Sequence, residues 1–205
     1  MPTAIIYDCE GPRLSEEERA FFKDIDPWGF ILFARHCESA DQIRAHCDEL
    51  RECVGRDDAP ILIDQEGGRV ARMKPPVFPA HPAPAVFGEL WKLDPKKARE
   101  AAELNGYLLG RLVSDCGVTV NCIPMLDVPQ IDADPVVIGD RAYAKWPDII
   151  TAIAQAHIEG LKAGGALPVI KHLPGHGRSL CDSHHDLPKV GAHKRDLTHC
   201  DFEPF

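Results

Sequence analysis

Two segments hold most of the side chains able to do chemistry. In Ile63-Asp64-Gln65-Glu66-Gly67-Gly68-Arg69-Val70-Ala71-Arg72, a carboxylate closes an apolar run, two glycines follow, and two arginines come after them. Glycines let backbone approach closely, and guanidinium groups fork onto paired oxygens, so the set suits a polyhydroxylated or carboxylated ligand. A tight turn held by an ion pair would use the same residues. The second segment runs from Lys171-His172-Leu173-Pro174-Gly175-His176-Gly177 into Asp182-Ser183-His184-His185-Asp186, and six of the ten histidines lie from 172 onward. Histidine is the side chain whose proton moves near neutral pH, so this stretch is a titrating site or a metal site. His172 and His176 are four apart, a spacing that chelates zinc on a helix, but Pro174 and Gly175 between them break a helix. Asp182 and His184 are two apart on a loop, where the carboxylate can fix the imidazole tautomer and prepare it for proton transfer.

These residues need elements to carry them, and the chain alternates strand and helix signals. Apolar runs of strand length cover 4–9, 29–34, 60–64, 118–124 and 167–172, the first of them read as buried. Between them lie helix starts: Ser15 with Glu18 and Ser39 with Gln42 as capping boxes, Asp94 with Pro95, and Pro147. The third helix is expected to run through Ala98, Ala101, Leu104, Leu108 and Leu112 to Gly117, and the fourth to close at Gly164 and Gly165. Five prolines within 74–84 exclude a regular element there, and 126–141 reads as a long loop. Each strand ends on unusual polar residues: Glu10, Arg35 and His36, Asp64 to Glu66, Asp127, and Lys171 with His172. A (β/α)8 barrel gathers such ends on one face, and a doubly wound sheet gathers them at a switch point; periodicity does not separate the two.

Composition bounds the function. The chain has 205 residues, a formal net charge of −9 and 44% hydrophobic residues, which fits one soluble domain and excludes a sequence-independent nucleic-acid binder. No stretch has the apolar length of a membrane span, and the first residues carry no basic segment ahead of an apolar one, so a cytoplasmic location is expected. The eight cysteines form no Cys-x-x-Cys pair and read as free, mostly buried thiols. No glycine-rich nucleotide loop is present, and neither a cofactor nor a metal is expected.

Five blocks together carry a resemblance: Gly29-Phe-Ile-Leu-Phe-Ala-Arg35, Ile63-Asp-Gln-Glu-Gly-Gly-Arg-Val70, Val137-Ile-Gly-Asp-Arg-Ala-Tyr143, Lys171-His-Leu-Pro-Gly-His-Gly177 and Asp182-Ser-His184. In content and order they resemble family 3 glycoside hydrolases, in particular the branch of bacterial cytoplasmic β-N-acetylglucosaminidases that recycle peptidoglycan. The resemblance implies a TIM-barrel catalytic domain acting on a small-molecule sugar. It implies that Asp64 binds sugar hydroxyls, helped by Arg72, Arg141, Lys171 and His172, and that Asp182 and His184 form the catalytic dyad, with His184 as general acid/base. Most retaining glycosidases use a carboxylic acid in that role. The family's nucleophile is an aspartate on a late strand, in a segment that Asp196 and Asp201 do not match. Residues 1–205 are therefore expected to be the N-terminal portion of a single catalytic domain, about five strands of eight, inactive alone. Two rival readings are a catalytically dead sugar-binding homologue and a metal-dependent hydrolase using His172, His176, Cys181 and His184.

Overall fold

The structure is a computed structural model describing residues 1–131, 133 and 135–205. Five strands alternate with helices: β1 (Thr3–Tyr7), α1 (Glu16–Ile25), β2 (Pro27–Leu32), α2 (Ala40–Val54), β3 (Ile61–Ile63), α3 (Ala85–Leu93), α4 (Pro95–Ser114), β4 (Val120–Asn121), α5 (Pro147–Ala163) and β5 (Leu167–Pro168). A short turn of helix at Lys194–Asp196 runs into a wide turn at Leu197–Asp201. Among the described residues, no helix is long and apolar enough to cross a membrane.

The sheet settles what periodicity left open. Its order is β1-β2-β3-β4-β5 and every pairing is parallel. A doubly wound sheet reverses its strand order at the switch point, whereas a barrel adds each strand beside the last. The chain is an α/β fold with the strand order of a (β/α)8 barrel over five units. The register is fixed where both faces are covered: Phe30 to Leu32 lie beside Ile61 to Ile63, and Leu32, Ile61 and Ile63 are fully buried. One core cluster lies between these strands and α1 and α2, with Phe22, Ile43, Cys47 and Leu50 at its centre.

Helix starts follow their caps. Ser15 accepts from the Glu18 amide while the Glu18 carboxylate takes the Ser15 amide, a complete capping box. At α2, Ser39 accepts from the Gln42 amide at 3.2 Å, but the Gln42 side chain reaches the Glu38 amide at 3.1 Å, so the reciprocal half sits one residue earlier than expected. Asp94 caps α4 through the amides of Lys96 and Lys97. All eight cysteines are free, five of them buried.

Two expectations need correction, and one helix is unanticipated. The first strand is exposed along most of its length: among the described residues β1 pairs only with β2, and Ile5 and Ile6 stay 41% and 42% exposed. Helix α3 emerges straight from the proline-rich loop; Pro84, already in helical conformation, stands at its start with no side-chain cap, so the usual start signal is missing. On α4 the buried face is Ala98, Ala102, Asn105, Gly106, Leu109, Gly110 and Val113, while Leu104 is 60% exposed. Small residues explain the rotation. A Cβ on Gly106 would lie 2.2 Å from the His157 carbonyl oxygen, and one on Gly160 would lie 1.9 Å from that of Glu103. The backbones of α4 and α5 meet along this seam, and Leu104 and Leu108 are turned outward.

Candidate active site

The strand ends build the site. Gln65 follows Asp64 at the end of β3, and its backbone is clamped to Asn121 on β4 by two 3.0 Å hydrogen bonds. Its side chain accepts from the amides of Arg72 and Met73 and donates to the Met73 carbonyl, which folds the chain back so that Arg72 returns to Asp64. Gly67, at φ +98°, gives the turn a backbone conformation that L side chains avoid, and a Cβ there would sit 2.3 Å from the Pro82 carbonyl oxygen. The proline-rich loop thus rests directly on the glycine turn. On the other side, β4 and β5 pair further along the chain, with Met125 beside Lys171 and the Leu126 amide 2.7 Å from the Lys171 carbonyl.

Four of the expected sugar-binding residues meet in one charged cluster, and the structure adds a fifth member. Lys171 Nζ lies 2.7 Å from both Asp64 Oδ1 and Glu66 Oε1. Arg72 Nη2 lies 3.2 Å from Asp64 Oδ2. Arg141 forks onto Glu66 at 3.0 and 2.8 Å, and it also donates to the Val137 carbonyl. Burial pushes the Asp64 carboxyl up, but Lys171 and Arg72 outweigh it and leave it below its ordinary value. Glu66 behaves alike: burial raises it, and the Arg141 hydrogen bonds with the Lys171 ammonium hold it below the usual carboxylate range. Both carboxylates are therefore ionised at neutral pH, and their cations are fixed.

His172, the remaining expected sugar-binding residue, stands on a second carboxylate. Its Nδ1 lies 2.5 Å from Oδ2 of the buried Asp127, whose other oxygen takes the His176 amide. This leaves Nε2 of the partly exposed His172 ring for a ligand. Burial pulls the His176 imidazole below its ordinary value. Glu66 and Asp127 were visible only as polar residues at strand ends. The signal that could have found them is a carboxylate directly behind an apolar run, which must be paired once that run is buried.

The Asp182–His184 pair forms, but apart from the cluster. Asp182 Oδ1 accepts from the His184 amide at 2.9 Å and from its Nδ1 at 2.6 Å, and these hydrogen bonds hold the Asp182 carboxyl below its ordinary value. The His184 side chain is 85% exposed. Among the described residues, no three His, Cys, Asp or Glu side chains are placed to hold a metal ion, so the set His172, His176, Cys181 and His184 is not assembled.

The arrangement can bind oxygen-rich groups between fixed cations and carboxylates, and it can move a proton through an aspartate-backed imidazole. Known proteins are similar to this chain in sequence and in fold. A β-hexosaminidase of Bordetella avium is 34% identical over 204 residues, covering 100% of this chain and 57% of the relative. The crystal structure of native NagZ from Neisseria gonorrhoeae superposes with a TM-score of 0.91 at 32% identity, covering 99% of this chain and 58% of that one. The same protein in complex with N-trifluoroacetyl-D-glucosamine gives a TM-score of 0.90 at 32% identity, covering 100% of this chain and 60% of that one. The chain thus spans little more than half the length of these relatives. The model of the glycosyl hydrolase family 3 N-terminal domain matches residues 4–205. The family model spans nearly the whole chain and the relatives exceed 30% identity over it: the chain belongs to glycosyl hydrolase family 3.

Proposed function

We propose that this chain supplies the sugar-binding cluster and the acid/base of a retaining β-N-acetylglucosaminidase, one that removes terminal β-linked N-acetylglucosamine from peptidoglycan-derived muropeptides in the cytoplasm. The observation that carries the reading is the 2.6 Å contact from His184 Nδ1 to Asp182, in the order of motifs that the family shares. The names of the relatives support it, as does the N-acetylglucosamine derivative bound by the Neisseria gonorrhoeae protein.

In this reading Asp64, Arg72, Lys171, Arg141 and His172 surround the sugar. The fixed cations offer donors and Asp64 an acceptor to its hydroxyls, and Glu66 and Asp127 keep those groups in place. With Nδ1 donating to Asp182, the imidazolium delivers its Nε2 proton to the glycosidic oxygen as the bond breaks. The neutral ring then takes a proton from the water that releases the sugar. Asp182 stays ionised and stabilises the imidazolium through both stages. The loop must bring His184 over the cluster for this to happen. The nucleophile is assigned to no residue of 1–205; Asp201 is engaged by Arg178.

The test is an aryl β-N-acetylglucosaminide with the full-length gene product. Wild type is expected to cleave it, and His184→Ala to lose about 100-fold or more in kcat. Cleavage of only a β-glucoside or β-xyloside would reject the substrate, and full activity in the variant would reject the acid/base role.

A further inference from the structure

The loop bearing the dyad has a rigid base. Its first anchor is Asp127, which takes the His172 ring and the His176 amide. Its second is Gly177, seated so closely on Val128 that a Cβ would lie 2.0 Å from the Val128 carbonyl oxygen, with the Gln130 amide 2.9 Å from the Gly177 carbonyl. The third is Arg178, whose Nε donates at 2.8 Å to Oδ2 of Asp201, a carboxylate only 1% exposed. Asp201 Oδ1 has no hydrogen-bond partner among the described residues, so Arg178 is its counter-charge. Asp201 belongs to a turn that is itself fastened to the body. Its neighbour Cys200 meets the Gln130 side chain at 3.4 Å, and Cys200 and Phe205 pack against the cluster that contains Leu126, Val128, Ile150 and Ile153.

From Arg178 the chain reaches Asp182 through a braced stretch. Ser179 is buried, its amide lies 3.1 Å from the His176 carbonyl, and its hydroxyl joins both the amide and the carbonyl of Cys181. From Asp182 to Asp186, the hydrogen bonds among the described residues are the loop's own, from the amides of His184, His185 and Asp186 and the His184 ring to Asp182. Among the described residues, the partly buried Arg178–Asp201 contact is thus the last side-chain ion pair with the body before the acid/base.

We propose that Arg178 is a positioning residue for the Asp182–His184 pair, fixed by Asp201 on the C-terminal turn; the inference rests on reading that pair as the acid/base. Arg178 does not touch the substrate. It sets where the loop leaves the body, and so where the imidazole stands.

Two readouts test this. In the full-length gene product, amide hydrogen exchange is measured for Cys181, His184, His185 and Asp186 and for the core strand β3. Arg178→Gln is expected to speed the loop amides about tenfold and leave β3 unchanged, with Arg178→Lys in between, because local opening is separable from global unfolding. Should Arg178→Gln also expose β3, the double variant Arg178→Gln with Asp201→Asn leaves no unpaired buried charge and decides on the same amides. Wild-type exchange of the loop in either folded variant overturns the proposal. In the full-length gene product, kcat is expected to fall about tenfold or more at unchanged KM, because small misplacements of a reacting group cost rate rather than ground-state binding. Partial recovery is expected with Arg178→Lys, and an unchanged kcat in Arg178→Gln overturns the proposal. If wild type shows no glycosidase activity, the functional reading fails, and the exchange measurement still decides whether Arg178 positions the loop.

Discussion

Replacing Glu66 by Gln removes one negative charge and changes almost no volume. The carboxylate is 2% exposed and accepts from three charged donors: Lys171 at 2.7 Å and the Arg141 fork at 2.8 and 3.0 Å. Gln keeps one acceptor and aims an NH2 at the others, so the Arg141 fork is lost, while Lys171 retains Asp64. Breaking a buried pair on one side costs about 3–5 kcal/mol, and the surviving acceptor places this variant near the lower end, about 3 kcal/mol. In a chain of this size that lowers Tm by roughly 6–12 °C. Chemical and thermal denaturation of wild type and variant measure it. The pH dependence is a second, independent readout. The folded carboxyl sits below its ordinary 4.5, so its stabilisation is fully present above that value and is lost as pH falls through the folded pKa. The two proteins should differ by a constant amount near neutral pH and converge in acid. A loss below about 1 kcal/mol, within the range of exposed ion pairs, would refute the reasoning, as would a difference that persists unchanged in acid.

Gly160→Ala should destabilise the fold by about 1–3 kcal/mol or more, because its Cβ would lie 1.9 Å from the Glu103 carbonyl oxygen; Gly11→Ala, with open space around it, should be near neutral in the same denaturation series. Asp127→Ala frees the His172 ring and the His176 amide, and calorimetry should show N-acetylglucosamine affinity down about tenfold, the equivalent of one charge-assisted hydrogen bond. Thiol titration of the native chain should leave Cys9, Cys47, Cys53, Cys116 and Cys122 unreacted until denaturant is added, since all five are buried and burial pushes Cys9 and Cys47 up to about 12. Rapid modification of Cys47 in the native state would contradict the packing of α2.

The sequence by itself determined the alternation of strands and helices, most helix starts, and the two segments that hold the chemistry. These are local properties: Ser15 caps the amide three residues on, Asp94 does the same, and an Asp two residues from a His meets it on a loop, whatever the rest of the chain does. The family's motifs added which side chains to watch. The order of the strands had to come from the tertiary structure, because a barrel and a doubly wound sheet share one local pattern. So did the pairing of Glu66 with Arg141, 75 residues away, and the seat of His172 on Asp127, 45 residues before it. On α4, periodicity points to Leu104, Leu108 and Leu112; the backbone of α5 selected instead the adjacent face that carries Ala102, Gly106 and Gly110. Local rules fix how a segment folds. Which residues neutralise a buried charge, and which face meets a neighbouring helix, depends on groups that only the assembled strands and helices bring within a few ångströms of each other.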